Sequence, residues 1–109
     1  MTRKVITYNA IEGFHRYPDA PAFCGYLVNL HRHIFVIECR FKVSHNEREI
    51  EINDQQQKIG QAIEDKFGRP ANFGGVSCES IAEWLLVRFP NMDSCKVLED
   101  GYGGAELSR

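Results

Sequence analysis

The stretch from His31 to Val43 is dense in β-branched and aromatic side chains and reads as one long strand. Residues i and i+2 of a strand face the same side, with Cα atoms about 6–7 Å apart. His31 and His33 therefore project together, and Arg32 between them points the other way. A third imidazole on a neighbouring strand completes a three-histidine site with one open position. That is the coordination of a catalytic zinc, whose vacant position takes water or substrate. His15, which ends the strand-like segment from Val5, is the candidate third ligand, so three of the four histidines belong to one constellation. The fourth, His45, reads as a solvated turn residue.

The rest of the chain divides around these two strands. Arg16-Tyr17-Pro18-Asp19-Ala20-Pro21 is loop, because two prolines within four residues exclude a helix. Ser44 to Glu47 reads as a turn, and Arg48 to Ile52 returns as an alternating strand, making a hairpin. Asn53-Asp54 supplies a cap signal for a first helix whose apolar positions are Ile59, Ala62, Ile63 and Phe67; Gly68-Arg69-Pro70 ends it. Asn72 to Val76 reads as loop. Ser77 caps a second helix that buries Ile81, Trp84, Leu85 and Phe89 and stops at Pro90. Cys95 to Glu99 is a last short strand, and Gly101-Tyr102-Gly103-Gly104 leads to a short end with room for one more. The expectation is an α+β fold: one domain over residues 1–109, an antiparallel four-stranded sheet with both helices on one face.

Composition excludes several classes. A net charge of −2 gives no general pull toward nucleic acid or acidic membranes, and no aromatic platform for bases is evident. No apolar run approaches the ~20 residues that span a bilayer. Met1-Thr2-Arg3-Lys4-Val5 lacks a signal-peptide pattern, so a cytoplasmic protein is expected. Cys24, Cys39, Cys78 and Cys95 are spread without a CxxC pair and read as free thiols, with Cys39 and Cys95 packing as small hydrophobes.

Four motifs in this order resemble the T-fold family of 6-pyruvoyl-tetrahydropterin synthase and 6-carboxy-tetrahydropterin synthase. Phe14-His15 loosely matches the family's first-strand Phe-x-x-x-His. His31-Arg32-His33-Ile34-Phe35 keeps both ligands and the aromatic of its His-Gly-His motif, with Arg32 in place of glycine. Val76-Ser77-Cys78-Glu79-Ser80-Ile81-Ala82 keeps the hydroxyl, the Glu and the Ala of its Pro-Thr-x-Glu-x-x-Ala. Val97-Leu98-Glu99 matches the family's pterin-holding Glu after the last long strand.

The resemblance implies a zinc held by His15, His31 and His33, and a pterin-like substrate anchored by Glu99, with Ser77 and Glu79 beside it. It implies that Cys24, seven residues before His31, acts as general base on the side chain of dihydroneopterin triphosphate, in carbon–oxygen lyase chemistry. The compact 6-carboxy type, which serves deazapurine synthesis, is the nearer of the two activities. The family pairs its cysteine with an Asp-His dyad. Here that place falls near Asp65-Lys66, and lysine replaces the histidine. The resemblance further implies a homo-oligomer, of trimer or hexamer type, that closes the sheets into a barrel with sites between chains. The altered dyad keeps a second expectation open: a T-fold module that binds a pterin or purine-like ligand without turnover.

Overall fold

The computed structural model describes residues 1–109. Strand β1 (Arg3–His15) is followed by a 3₁₀ segment (Ala22–Val28) and strand β2 (His31–Val43). Helix α1 (Ile52–Phe67), strand β3 (Ala71–Gly74) and helix α2 (Cys78–Arg88) come next, then strands β4 (Met92–Glu99) and β5 (Gly103–Ser108). The sheet has five strands in the order β3-β1-β2-β4-β5.

The two long strands pair antiparallel over their whole length, from Arg3↔Val43 to His15↔His31. Alternation fixes this register. Phe35, Ile37, Cys39 and Phe41 of β2 are all fully buried on one face. Each large apolar side chain removed from water contributes about 1.5–3 kcal/mol, and a one-residue slip would turn every one of them outward. Both helices cover this same face. Ile59, Ala62 and Ile63 of α1, and Ile81, Ala82, Leu85 and Leu86 of α2, join the inward residues of β2, β3 and β4 in one core. The opposite face keeps Ile6 and Tyr8 about half exposed.

The fold is α+β, as expected, but the sheet is mixed and five-stranded rather than antiparallel and four-stranded. Two local corrections account for this. Arg48 to Ile52 is not a strand. β2 already has β1 on one edge and β4 on the other, so no edge remains for a hairpin partner. The carboxylate of Glu49 instead accepts from the backbone N–H and hydroxyl of Ser44, at 2.8 and 2.6 Å, and folds the segment on itself. Arg48 leaves the extended region, with φ 55°. Glu51, not Asn53-Asp54, caps α1 by accepting from the Asp54 N–H at 2.6 Å. The second correction is at Ala71 to Gly74. Much of it was expected to be loop, yet it forms β3 and pairs parallel with β1. Four residues are too few for alternation to be read, and burial of Ala71 and Phe73 identifies the strand only in the fold. β4 also begins at Met92, three residues before the expected Cys95, and β5 occupies the short end.

No helix is long and apolar enough to cross a membrane. All four cysteines are free and buried. Cys39 and Cys95 face each other across the β2–β4 ladder, with sulfurs 3.7 Å apart.

Two glycines permit the close strand contacts at the His end of the sheet. A Cβ on Gly13 would meet the Phe73 ring at 2.9 Å and the Ala71 carbonyl at 3.1 Å. A Cβ on Gly104 would lie 1.8 Å from the Val97 carbonyl oxygen. No rotamer relieves a clash with backbone, so β5 must move off β4. Gly104→Ala is therefore expected to cost at least the ~1–3 kcal/mol of an overpacked core, read as a lower urea midpoint. Gly103→Ala, which meets open space, is expected to stay within about 0.5 kcal/mol of the parent.

Candidate metal centre

The β1–β2 register brings the three histidines together. His15 and His31 are direct cross-strand partners, and His33 stands two residues on, opposite the side-chain-free Gly13. Directly paired side chains have Cβ atoms about 4.5–5.5 Å apart, and i, i+2 neighbours share a face. The ring centroids are accordingly 4.6 Å (His15–His31), 5.0 Å (His15–His33) and 5.0 Å (His31–His33) apart. One ring nitrogen from each lies within 4.8 Å of the others, a grouping that could hold a metal ion. Phe35 closes the floor, its ring edge-on to His15 at 5.1 Å and to His33 at 5.8 Å.

Outward hydrogen bonds set the tautomers. Nδ1 of His31 is 2.8 Å from the Asn29 carbonyl, which can only accept, so that nitrogen carries the proton. Nδ1 of His33 donates to the Asp100 carboxylate at 2.6 Å. In the neutral tautomer this leaves each ring's Nε2 lone pair for the site, the arrangement in which an outer carbonyl or carboxylate orients a metal-binding histidine. Asp100 is itself fixed. Its other oxygen accepts from the Ile34 N–H at 2.8 Å, and its backbone sits at φ 54°, a left-handed conformation that Asp tolerates. The Ile34 N–H foremost, then the His33 ring, holds the Asp100 carboxyl below the usual range, so it stays an acceptor. His15 is buried, and burial lowers its pKa despite the opposing pull of Glu99. It is therefore neutral near pH 7, as a ligand must be. Nε2 of His33 is buried with no hydrogen-bond partner. An orphaned lone pair between two other imidazoles fits a metal ion, and the residues present suit one.

A cleft of about 570 Å³ opens beside the triad, lined by His15, His31, Ser77, Cys78, Glu79 and Glu99 among others. Glu99 pairs with Phe35 at the end of β4, and its Oε1 lies 3.1 Å from His15 Nε2. Ser77 caps α2, its Oγ accepting from the Ser80 N–H at 3.1 Å. Cys78, unforeseen as a site residue, opens α2 with its thiol 3.8 Å from Glu99 Oε1. Burial, then the Glu99 and Glu79 carboxylates, pushes that thiol up to about 12, so it acts as a proton donor to Glu99. Asp100 was equally unforeseen. Its signal is an Asp-Gly step at the end of the last long strand, where a carboxylate can turn back onto a neighbouring strand.

The structure therefore gathers His15, His31, His33, Ser77, Glu79 and Glu99 at one site. It does not bring Cys24, Asp65 and Lys66 to that cleft within the chain. Cys24 is buried in the 3₁₀ segment, whose Leu27, not Cys24, reaches the cleft wall. Asp65 accepts from Gln61 on the surface of α1 at 2.8 Å. Lys66 lies over the rings of Phe67 and Trp84, 5.7 Å from each centroid. A larger cleft of about 780 Å³ between β1 and α1 contains no histidine or cysteine and no ligating cluster.

No protein-family model matches the chain, and no curated protein matches its sequence. The class is defined by fold and site alone: an α+β domain with a mixed five-stranded sheet and a histidine triad suited to a metal ion.

The protein is expected to bind about one divalent ion per chain, and His31→Ala to lose most of it, since two imidazoles leave an incomplete shell. Asp100→Ala, which frees the His33 ring, is expected to weaken binding by about 10–100-fold, read by competition with a chromophoric chelator.

Proposed function

We propose that the protein is a zinc-dependent enzyme of the 6-carboxy- and 6-pyruvoyl-tetrahydropterin synthase type, acting on dihydroneopterin triphosphate or a close relative. The observation that carries this reading is the meeting, beside one cleft, of three imidazoles and an acceptor carboxylate, Glu99. His15, His31 and His33 would hold the zinc. When bound, the ion supplies Lewis acidity toward the hydroxyl and carbonyl oxygens of a substrate side chain. Glu99 accepts from the N–H and amino groups of the ring, which an ionised carboxylate does without offering a competing donor. Ser77 and Glu79 at the start of α2 border the same space.

Proton transfer falls to Cys24 with Asp65 and Lys66. These groups lie outside the cleft of a single chain, so an assembly of chains is part of this reading. The sheet's outer face with Ile6 and Tyr8, and the 3₁₀ segment with Phe23 87% and Tyr26 73% exposed, offer apolar surface for that contact. A trimer- or hexamer-type homo-oligomer is expected in sedimentation at micromolar concentration, and a monodisperse monomer would contradict it.

The second reading is a module that binds a pterin- or purine-like ligand without turnover. The seating of Lys66 on Phe67 and Trp84 favours it, since a lysine base works from a desolvated site and Lys66 is exposed. Incubation with dihydroneopterin triphosphate, following triphosphate release and the ring spectrum, separates the two. The enzyme reading expects product, with Cys24→Ala slowing it by about 10²–10⁴-fold at unchanged zinc content. Tight pterin binding with no product over hours would leave the module.

A further inference from the structure

The carboxylate of Glu99 does not merely border the triad. Its Oε1 is 3.1 Å from His15 Nε2, and its Oε2 is 3.6 Å from His33 Nε2. Adjacent ligand atoms of a tetrahedral zinc with bonds of ~2.0–2.1 Å stand ~3.3–3.4 Å apart. The two distances bracket that edge. A proton does not explain the pair at His33. The ring's N–H is committed to Asp100, its Nε2 has no hydrogen-bond partner, and 3.6 Å is too long for one. The His33 Nε2 and a carboxylate oxygen thus face each other with no hydrogen bond between them. A cation between them satisfies both.

We propose that Glu99 is the fourth ligand of the metal held by His15, His31 and His33, closing the centre until an incoming molecule displaces it. This inference rests on the metal-centre reading of the site. It changes the role of Glu99 in the ligand-free protein from a waiting ring acceptor to a metal ligand. The surroundings suit an exchangeable carboxylate. Its side chain is 36% exposed on the cleft wall, so it has room to swing. The thiol of Cys78, 3.8 Å from Oε1, offers it a donor after it leaves the metal. A displaced carboxylate then becomes an acceptor facing the cleft. The molecule that completes the exchange carries an oxygen donor for the metal and ring N–H groups for Glu99. Opening of the metal and capture of such a heterocycle become one event.

The test compares the whole protein with Glu99→Gln, which keeps the shape, Glu99→Ala, and Asp19→Asn. Asp19 is another carboxylate on the cleft wall, with no contact to the triad, and controls for lost charge. Zinc affinity is measured by chelator competition, and the cobalt-substituted proteins by their visible spectra with and without azide. Both Glu99 variants are expected to lose more than the ~10–100-fold in zinc affinity typical of an outer-shell change. Their cobalt bands are expected to shift and to respond to azide at concentrations that leave the parent unchanged. Asp19→Asn is expected to match the parent throughout. If the parent and Glu99→Ala bind zinc equally and give superimposable cobalt spectra, the metal centre stands and Glu99 is not its ligand. If the parent binds neither zinc nor cobalt, the centre itself falls, and the role of Glu99 falls with it.

Discussion

The antiparallel ladder between β1 and β2 is the constraint on which the rest of the molecule depends. It places His15 opposite His31 and leaves His33 opposite a glycine, so three imidazoles share one end of one face. The same alternation that buries Phe35, Ile37, Cys39 and Phe41 turns His31 and His33 inward. Core and candidate metal site therefore share a register, and a slip that lost one would lose the other. The helices stabilise that register from above, and β4 carries Glu99 and Asp100 to the edge of the triad.

Electrostatics at the triad follow from burial and from where the protons are held. His15 sits against a carboxylate that favours its charged form, yet burial prevails and the ring stays neutral. The protons of His31 and His33 are drawn outward, to the Asn29 carbonyl and the Asp100 carboxylate. The three rings form a poor cluster on their own, since nothing satisfies the buried Nε2 of His33. This polarity separates the arrangement from a simple hydrogen-bonded histidine cluster. In the proposed exchange the carboxylate of Glu99 would serve successively as metal ligand and as ring acceptor.

The proposed proton relay is organised differently. Cys24 is turned into the 3₁₀ segment, and Asp65 and Lys66 lie at the far end of α1, on a surface of helix and aromatic rings. In the proposed enzyme these groups reach a substrate across a contact between chains. The exposed aromatics of the 3₁₀ segment and the uncovered sheet face are the surfaces on which such a contact would form.

The strongly periodic parts of the chain were legible without the fold. The two long strands, both helices and the Ser77 cap follow from side-chain alternation and local hydrogen bonding, which act within a few residues. His-x-His on a strand likewise determined that two imidazoles share a face. What stands beyond that reach was decided by tertiary structure. Arg48 to Ile52 alternates like a strand, but β2 has no free edge to receive it, and edge occupancy is a property of the whole sheet. Ala71 to Gly74 is a strand only because β1 offers it an edge. Asp100 and Cys78 acquire their roles through partners 67 and 21 residues away, His33 and Glu99. Whether Lys66 meets a substrate or a tryptophan depended on helix packing that no local pattern encodes. Periodicity specifies which way a side chain faces, while what it meets there is set by the packing of distant segments.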